Sequence, residues 1–132
     1  MTASGFETLA SHFPDRTVVT YDPRGLGRST RTDGRVDNTP ALQAEDVHAV
    51  IEALGAGPVE MFASSGGAVA ALALVAGHPD DVTTLVAHEP PLIPVLPDAD
   101  AAERARARFR DAYDARGWGA SPTGRRREVL DD

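Results

Sequence analysis

The chain has 132 residues, about one domain's worth of sequence, and 42% of them are hydrophobic, enough for a core. Twenty acidic residues against 13 basic ones, all arginine, give a net charge of −7, which argues against nucleic acid or an anionic membrane as the main partner. There is no cysteine, so disulfides and thiolate metal sites are excluded. The longest low-polarity run, Gly66 to Gly77, is too short for a membrane span of about 20 residues. The opening residues carry no basic segment followed by an apolar stretch, and a cytoplasmic protein is the expectation.

In chain order, Phe6, Leu9, Ala10 and Phe13 recur at three- and four-residue spacing and predict a helix over 3–13, ended by Pro14-Asp15. The β-branched run Thr17-Val18-Val19-Thr20-Tyr21 predicts a buried strand over 17–21. Residues 22–39, with three glycines, one proline and many polar residues, form a loop. Thr39-Pro40 starts a second helix as N-cap and N1, Val47, Val50, Ile51 and Leu54 mark its buried face, and Gly55 ends it. A strand follows over 59–63. The helix over 66–77 has so little polar surface that it should be central and buried. The last strand covers 82–87 and is closed by Glu89-Pro90-Pro91. Strands alternating with helices give the α/β class with a parallel sheet. Residues 1–97 form this core. From 98 the composition changes: Asp100 and Glu103 suit a capping box, Arg104, Arg106, Arg108 and Arg110 suit a solvated helix face, and Phe109 and Tyr113, the only large apolar residues in that helix, leave a narrow sticky stripe. Trp118 stands between glycines as a candidate lid anchor, and a flexible tail is expected from Ser121 to Asp132.

The chemistry concentrates in one junction, "VEMFASSGGAVA" (59–70), where an apolar strand breaks into two serines and two glycines before an alanine-rich helix. A nucleophile elbow, G-x-S-x-G, needs small residues two before and two after its apex. Centring on Ser65 places Ala63 and Gly67 there; centring on Ser64 would place Phe62, which is too bulky. Ser65 is therefore the candidate nucleophile. The N–H of Gly66, at the start of the helix, is the candidate oxyanion donor. The competing view is that both serines merely cap a buried helix. Dinucleotide binding is disfavoured, since the glycines lack G-x-G-x-x-G and P-loop spacing and the chain has no lysine.

The segment Tyr21-Asp22-Pro23-Arg24-Gly25-Leu26-Gly27-Arg28-Ser29 resembles the D-x-R-G-x-G-x-S segment of the α/β-hydrolase fold family, as do "FASSGGAVAALALVAGHP" and "LVAHEPP" at their spacing. The resemblance covers residues 1 to about 115 and departs at Ala63, where the family has glycine. It implies a partial α/β-hydrolase fold, a three-layer sandwich with a short parallel sheet. It also implies a cofactor-independent hydrolase acting on a small-molecule ester, lactone or amide through serine, a histidine base and an acid. By the same resemblance, the strand and His-Gly-type loop before the first helix, and the later acid and histidine, lie outside this chain. Loss of that strand would leave a gap between 17–21 and 59–63 or force the two to pair. The exposed edges would then invite a second copy or a partner chain.

Of the four histidines, His12, His48 and His78 have ordinary helical places. His88 and Glu89 sit at the carboxyl end of the last strand, on the rim that holds Ser65. Glu89 is a candidate acid, because some members of the fold carry it after this strand; His88 is a weaker candidate base. For both, shaping the pocket is the more ordinary role. Asp22 and Arg24 are expected to brace their loop by an ion pair or backbone hydrogen bonds. No metal-ligating pattern and no cofactor is expected.

Overall fold

A computed structural model of the protein describes residues 3–117. They fall into two compact units, 1–91 and 92–132, the second described as far as Gly117. Trp118 and the tail expected from Ser121 lie outside the described residues.

In the first unit, a 3-10 turn over Ala3–Phe6 runs into the short helix α1, Glu7–Ala10. Backbone bonds from Ser11, His12 and Phe13 close its end. The helix predicted over 3–13 is thus reduced to four α-helical residues. Its apolar side chains find little to bury against, Leu9 and Phe13 staying about two-fifths exposed, and a short helix is sustained by packing rather than propensity. Residues 17–21 are the clearest correction: they lie in no regular element, and all five are exposed. β-branched sequence favours a strand only where a neighbour supplies the ladder, and none pairs here among the described residues.

The second helix, α2, is Pro40–Leu54. Thr39 caps it, its Oγ1 accepting from the amide of Leu42 at 3.2 Å, Pro40 fills the first turn, and Gly55 closes it in the left-handed region at φ 62°. Strand β1 is Val59–Ser64, helix α3 is Gly66–Gly77, and strand β2 is Val82–His88 after a 3-10 turn over Pro79–Asp81. β1 and β2 pair in parallel, from Val59 against Val82 to Ser64 against His88, with one irregularity after Val59. A parallel pair cannot close by a tight turn, and α3 supplies the crossover.

Period-two alternation sorts the sheet's faces. Met61, Ala63, Leu85 and Ala87 turn toward Ala68 and Ala71 of α3. Ala44, Val47 and Ile51 of α2 bury Leu74 of α3 between the layers, with Val59, Met61 and Val82 packed around them. On the opposite face Phe6 meets Phe62 edge-on at 6.0 Å, while Phe62 and Val86 stay 44% and 53% exposed. The α3 helix is buried on one side, through Ala68, Ala70, Ala71 and Leu74, and not all round as its composition predicts: Leu72 is exposed. No helix among the described residues is long and apolar enough to cross a membrane.

In the second unit, a 3-10 turn over Ile93–Val95 precedes α4, Ala99–Arg116. The capping box expected from Asp100 and Glu103 does not form. The helix begins two residues earlier than that pattern needs, with Asp98 at its N-cap and making no side-chain cap. Glu103 instead accepts from Arg106 Nε at 2.9 Å, one turn along. Arg104, Arg106, Arg108 and Arg110 are all exposed.

Candidate active site

The passage from β1 to α3 is a sharp kink centred on Ser65. Its backbone sits at φ 55°, ψ −127°, a region that residues with a Cβ rarely occupy. It occupies the N-cap position, yet its hydroxyl makes no capping bond and the side chain is exposed. A serine serving as a cap has β-region dihedrals and accepts from an amide one turn along; Ser65 does neither. The first intrahelical donor is Ala68, bonded to the Ser65 carbonyl at 3.0 Å. The amides of Gly66 and Gly67 precede it and, as in any first turn, have no intrahelical acceptor.

The small residues around the apex divide by role. Ala63 is buried against Ala68 and Ala71. A Cβ on Gly67 would meet open space among the described residues, so close packing does not demand glycine there.

β2 brings the second half of the rim. Ser65 donates its amide to the carbonyl of His88 at 2.9 Å, extending the ladder beyond the last register pair. Glu89, the next residue, is also left-handed at φ 48° and exposed. Ser65 and Glu89 are the described non-glycine residues with positive φ, and they follow directly on partnered positions at the carboxyl ends of two adjacent parallel strands. Strain of this kind, of order 1–3 kcal/mol per residue, gathers at ligand sites. His88 is on the rim too, but its Nδ1 lies 3.1 Å from the hydroxyl of Ser64, and its ring stacks near Phe62 at 6.2 Å. The serine chosen by this histidine is thus the one before the apex.

The loop after residue 21 is braced as expected, through partners the sequence did not identify. Asp22 accepts from the amides of Ala3 at 2.7 Å and Arg28 at 3.0 Å. These two amides hold its carboxyl below the usual carboxylate range. Arg24 forks onto Asp46 of α2, Nε to Oδ2 at 2.8 Å and Nη2 to Oδ1, a planar match that lysine could not make. Tyr21 is 38% exposed as a residue, yet neighbouring atoms crowd water from its phenol, and this partial desolvation, with secondarily the charge of Asp46, raises the phenol above its ordinary value. Arg31 forks onto Asp33 and also reaches the carbonyl of Asp37 at 2.6 Å.

Gly27 is required within this brace. It has φ 54°, and a Cβ there would lie 2.5 Å from the Asp22 carboxylate. Gly27→Ala is therefore expected to lower stability by more than the roughly 1–2 kcal/mol of a left-handed alanine alone. Gly34, at φ 66° with open space around it, is the control. Urea unfolding of Gly27→Ala beside Gly34→Ala isolates the clash; equal losses would show that Asp22 yields freely.

A strained serine between a parallel strand and a buried helix, with a braced glycine loop before it, places the chain in a known class. A family model described as the alpha/beta hydrolase fold matches residues 2–127, and the chain belongs to that family. It is 35% identical over 95 residues to the uncharacterized hydrolase YraK of Bacillus subtilis (strain 168), a match covering 71% of this chain and 35% of that protein. It is 37% identical over 76 residues to a proline iminopeptidase of Xylella fastidiosa (strain 9a5c), covering 57% of this chain and 24% of that protein. The matches span about a third or less of these relatives' length.

Proposed function

We propose that this chain carries the nucleophile elbow of an acyl hydrolase acting on a small-molecule ester, lactone or amide. Ser65 Oγ attacks the carbonyl carbon, and the Gly66 amide, at the positive end of α3, donates to the oxygen as it gains charge. Glu89 is the candidate acid, and α4 is proposed as part of a substrate-selecting region. The observation that carries this reading is the backbone of Ser65: a serine at a helix start, strained, exposed and making no cap. The hydrolase relatives support the same class.

A serine hydroxyl attacks efficiently only when a base takes its proton. Among the described residues no histidine ring is bonded to Ser65, and His88 is engaged by Ser64. The isolated chain is therefore expected to turn over little ester or none. The test treats the chain and its Ser65→Ala variant with a fluorophosphonate and with an activated ester. Slow phosphonylation at Ser65, absent from the variant, with ester turnover equal in both, is the expected outcome. Modification at Ser64 instead, or none, removes Ser65 as nucleophile. Turnover that Ser65→Ala abolishes would mean that His88 or a second chain supplies the base.

A second reading is a non-catalytic module that binds a ligand or a partner, including another copy. It is favoured by the two-stranded sheet, whose outer face leaves Phe62 and Val86 exposed. Concentration-dependent association in size-exclusion chromatography, together with inert Ser65, would select it.

A further inference from the structure

At the opposite end of the sheet from Ser65, three segments converge. His48 lies on α2, His78 closes α3, and Asp81 ends the 3-10 turn leading into β2. The two imidazoles stack, with centroids 3.8 Å apart and planes 13° from parallel. His48 Nδ1 is 2.7 Å from Asp81 Oδ2, and His78 Nε2 is 3.0 Å from Glu45 Oε1. His48 Nε2 is 3.6 Å from Glu52 Oε2. Ligand atoms of His48, His78 and Asp81 all lie within 4.8 Å of one another, and all three residues are half-buried.

We propose that His48, His78 and Asp81 form a binding site for one divalent transition-metal ion of the zinc type, with Glu45 as neighbouring fourth donor. With neutral imidazoles, the carboxylates of Glu45, Glu52 and Asp81 give the cluster a charge of −3, which a dication reduces to −1. Two imidazole nitrogens and a carboxylate oxygen are borderline donors that suit zinc, whereas calcium and magnesium prefer oxygen alone. Tetrahedral bonds of about 2.0–2.1 Å put ligand atoms about 3.3 Å apart, so the present spacing must close by up to about 1.5 Å. One ring must also turn, because nearly parallel imidazoles cannot aim both lone pairs at one point. His78 is placed to turn: it sits between α3 and the 3-10 turn, outside either. A surface recess of about 250 Å³, bounded by Ile51, Glu52, Gly57, Pro58 and Asp81, reaches the cluster on its Glu52 and Asp81 side. The ion would tie α2 to the α3–β2 junction. Its role is structural, since Ser65 stands at the other ends of the strands.

The test is titration of the metal-stripped full chain with Zn²⁺ alone, followed by calorimetry and by NMR of the histidine rings. One equivalent is expected to bind, to raise the unfolding midpoint reversibly with EDTA, and to shift the ring signals of His48 and His78 but not of His12 or His88. His78→Gln and Asp81→Asn are each expected to weaken binding at least about tenfold, and His12→Gln to leave it unchanged. Binding weaker than about 1 mM overturns the site, as does binding undiminished in both variants. Should either variant fail to fold by circular dichroism, the ring shifts of the unaltered chain decide: shifts at His12 or His88 alone reject it.

Discussion

Leu74→Ala is expected to lower the free energy of unfolding by about 2–5 kcal/mol, a large part of the stability of a unit of this size. Among the described residues, Leu74 is the fully buried side chain of largest volume. Most of its buried companions are alanines: Ala44, Ala63, Ala68, Ala70 and Ala71. A core of that composition has few methyl groups to lose, and the alanines cannot reach into the cavity left behind. Leu74 also joins what the fold must hold together, since α2 reaches it through Ala44, Val47 and Ile51 while Val59, Met61 and Val82 approach from the sheet. Leu72, two residues back and 37% exposed, is the control, and its replacement by alanine is expected to cost under about 1 kcal/mol. Chemical denaturation of the two variants checks the difference. Similar losses at both positions would mean that Leu72 is covered in solution.

The same contrast explains which parts of the fold were legible in the sequence. Elements whose signals are local came through: the Thr39 cap with Pro40, the Gly55 stop, and the apolar strands on either side of α3. Each is specified within a few residues by a hydrogen bond, a dihedral preference or a side-chain period. The strand expected at 17–21 depended instead on a ladder partner, which no property of Val18 or Val19 can supply. The capping box failed for a related reason. Asp100 and Glu103 have the spacing, but the helix starts at Ala99 and Arg106 claims the glutamate.

The kink at Ser65 was legible because two serines and two glycines interrupt an apolar strand just before an apolar helix, and that break can be read directly. Its pairings were not. Arg24 finds Asp46 across 22 residues, His88 finds Ser64 across 24, and His48 meets His78 and Asp81 from another helix. Such contacts follow from how α2, α3 and β2 pack. An i, i+4 search along the sequence passes over them.

Ser65→Gly is expected to stabilise the protein while removing the hydroxyl proposed as nucleophile. Glycine occupies φ 55°, ψ −127° without a Cβ clash, relieving strain of order 1–3 kcal/mol. Glycine's greater freedom in the unfolded chain returns about 0.5–1 kcal/mol. A net gain of about 1 kcal/mol remains, or roughly 4–8 °C in unfolding midpoint for a unit of this size. Ser65→Ala keeps the Cβ and the strain, so it should lose phosphonylation with little change in midpoint. If Ser65 were an ordinary helix cap the order would differ: alanine would cost about 1 kcal/mol and glycine a few tenths. Calorimetry of the two variants beside the parent chain therefore separates a serine held under strain for chemistry from one that finishes a helix. A midpoint that falls in both variants, alanine further than glycine, would assign Ser65 to the helix and leave the acyl chemistry without its nucleophile.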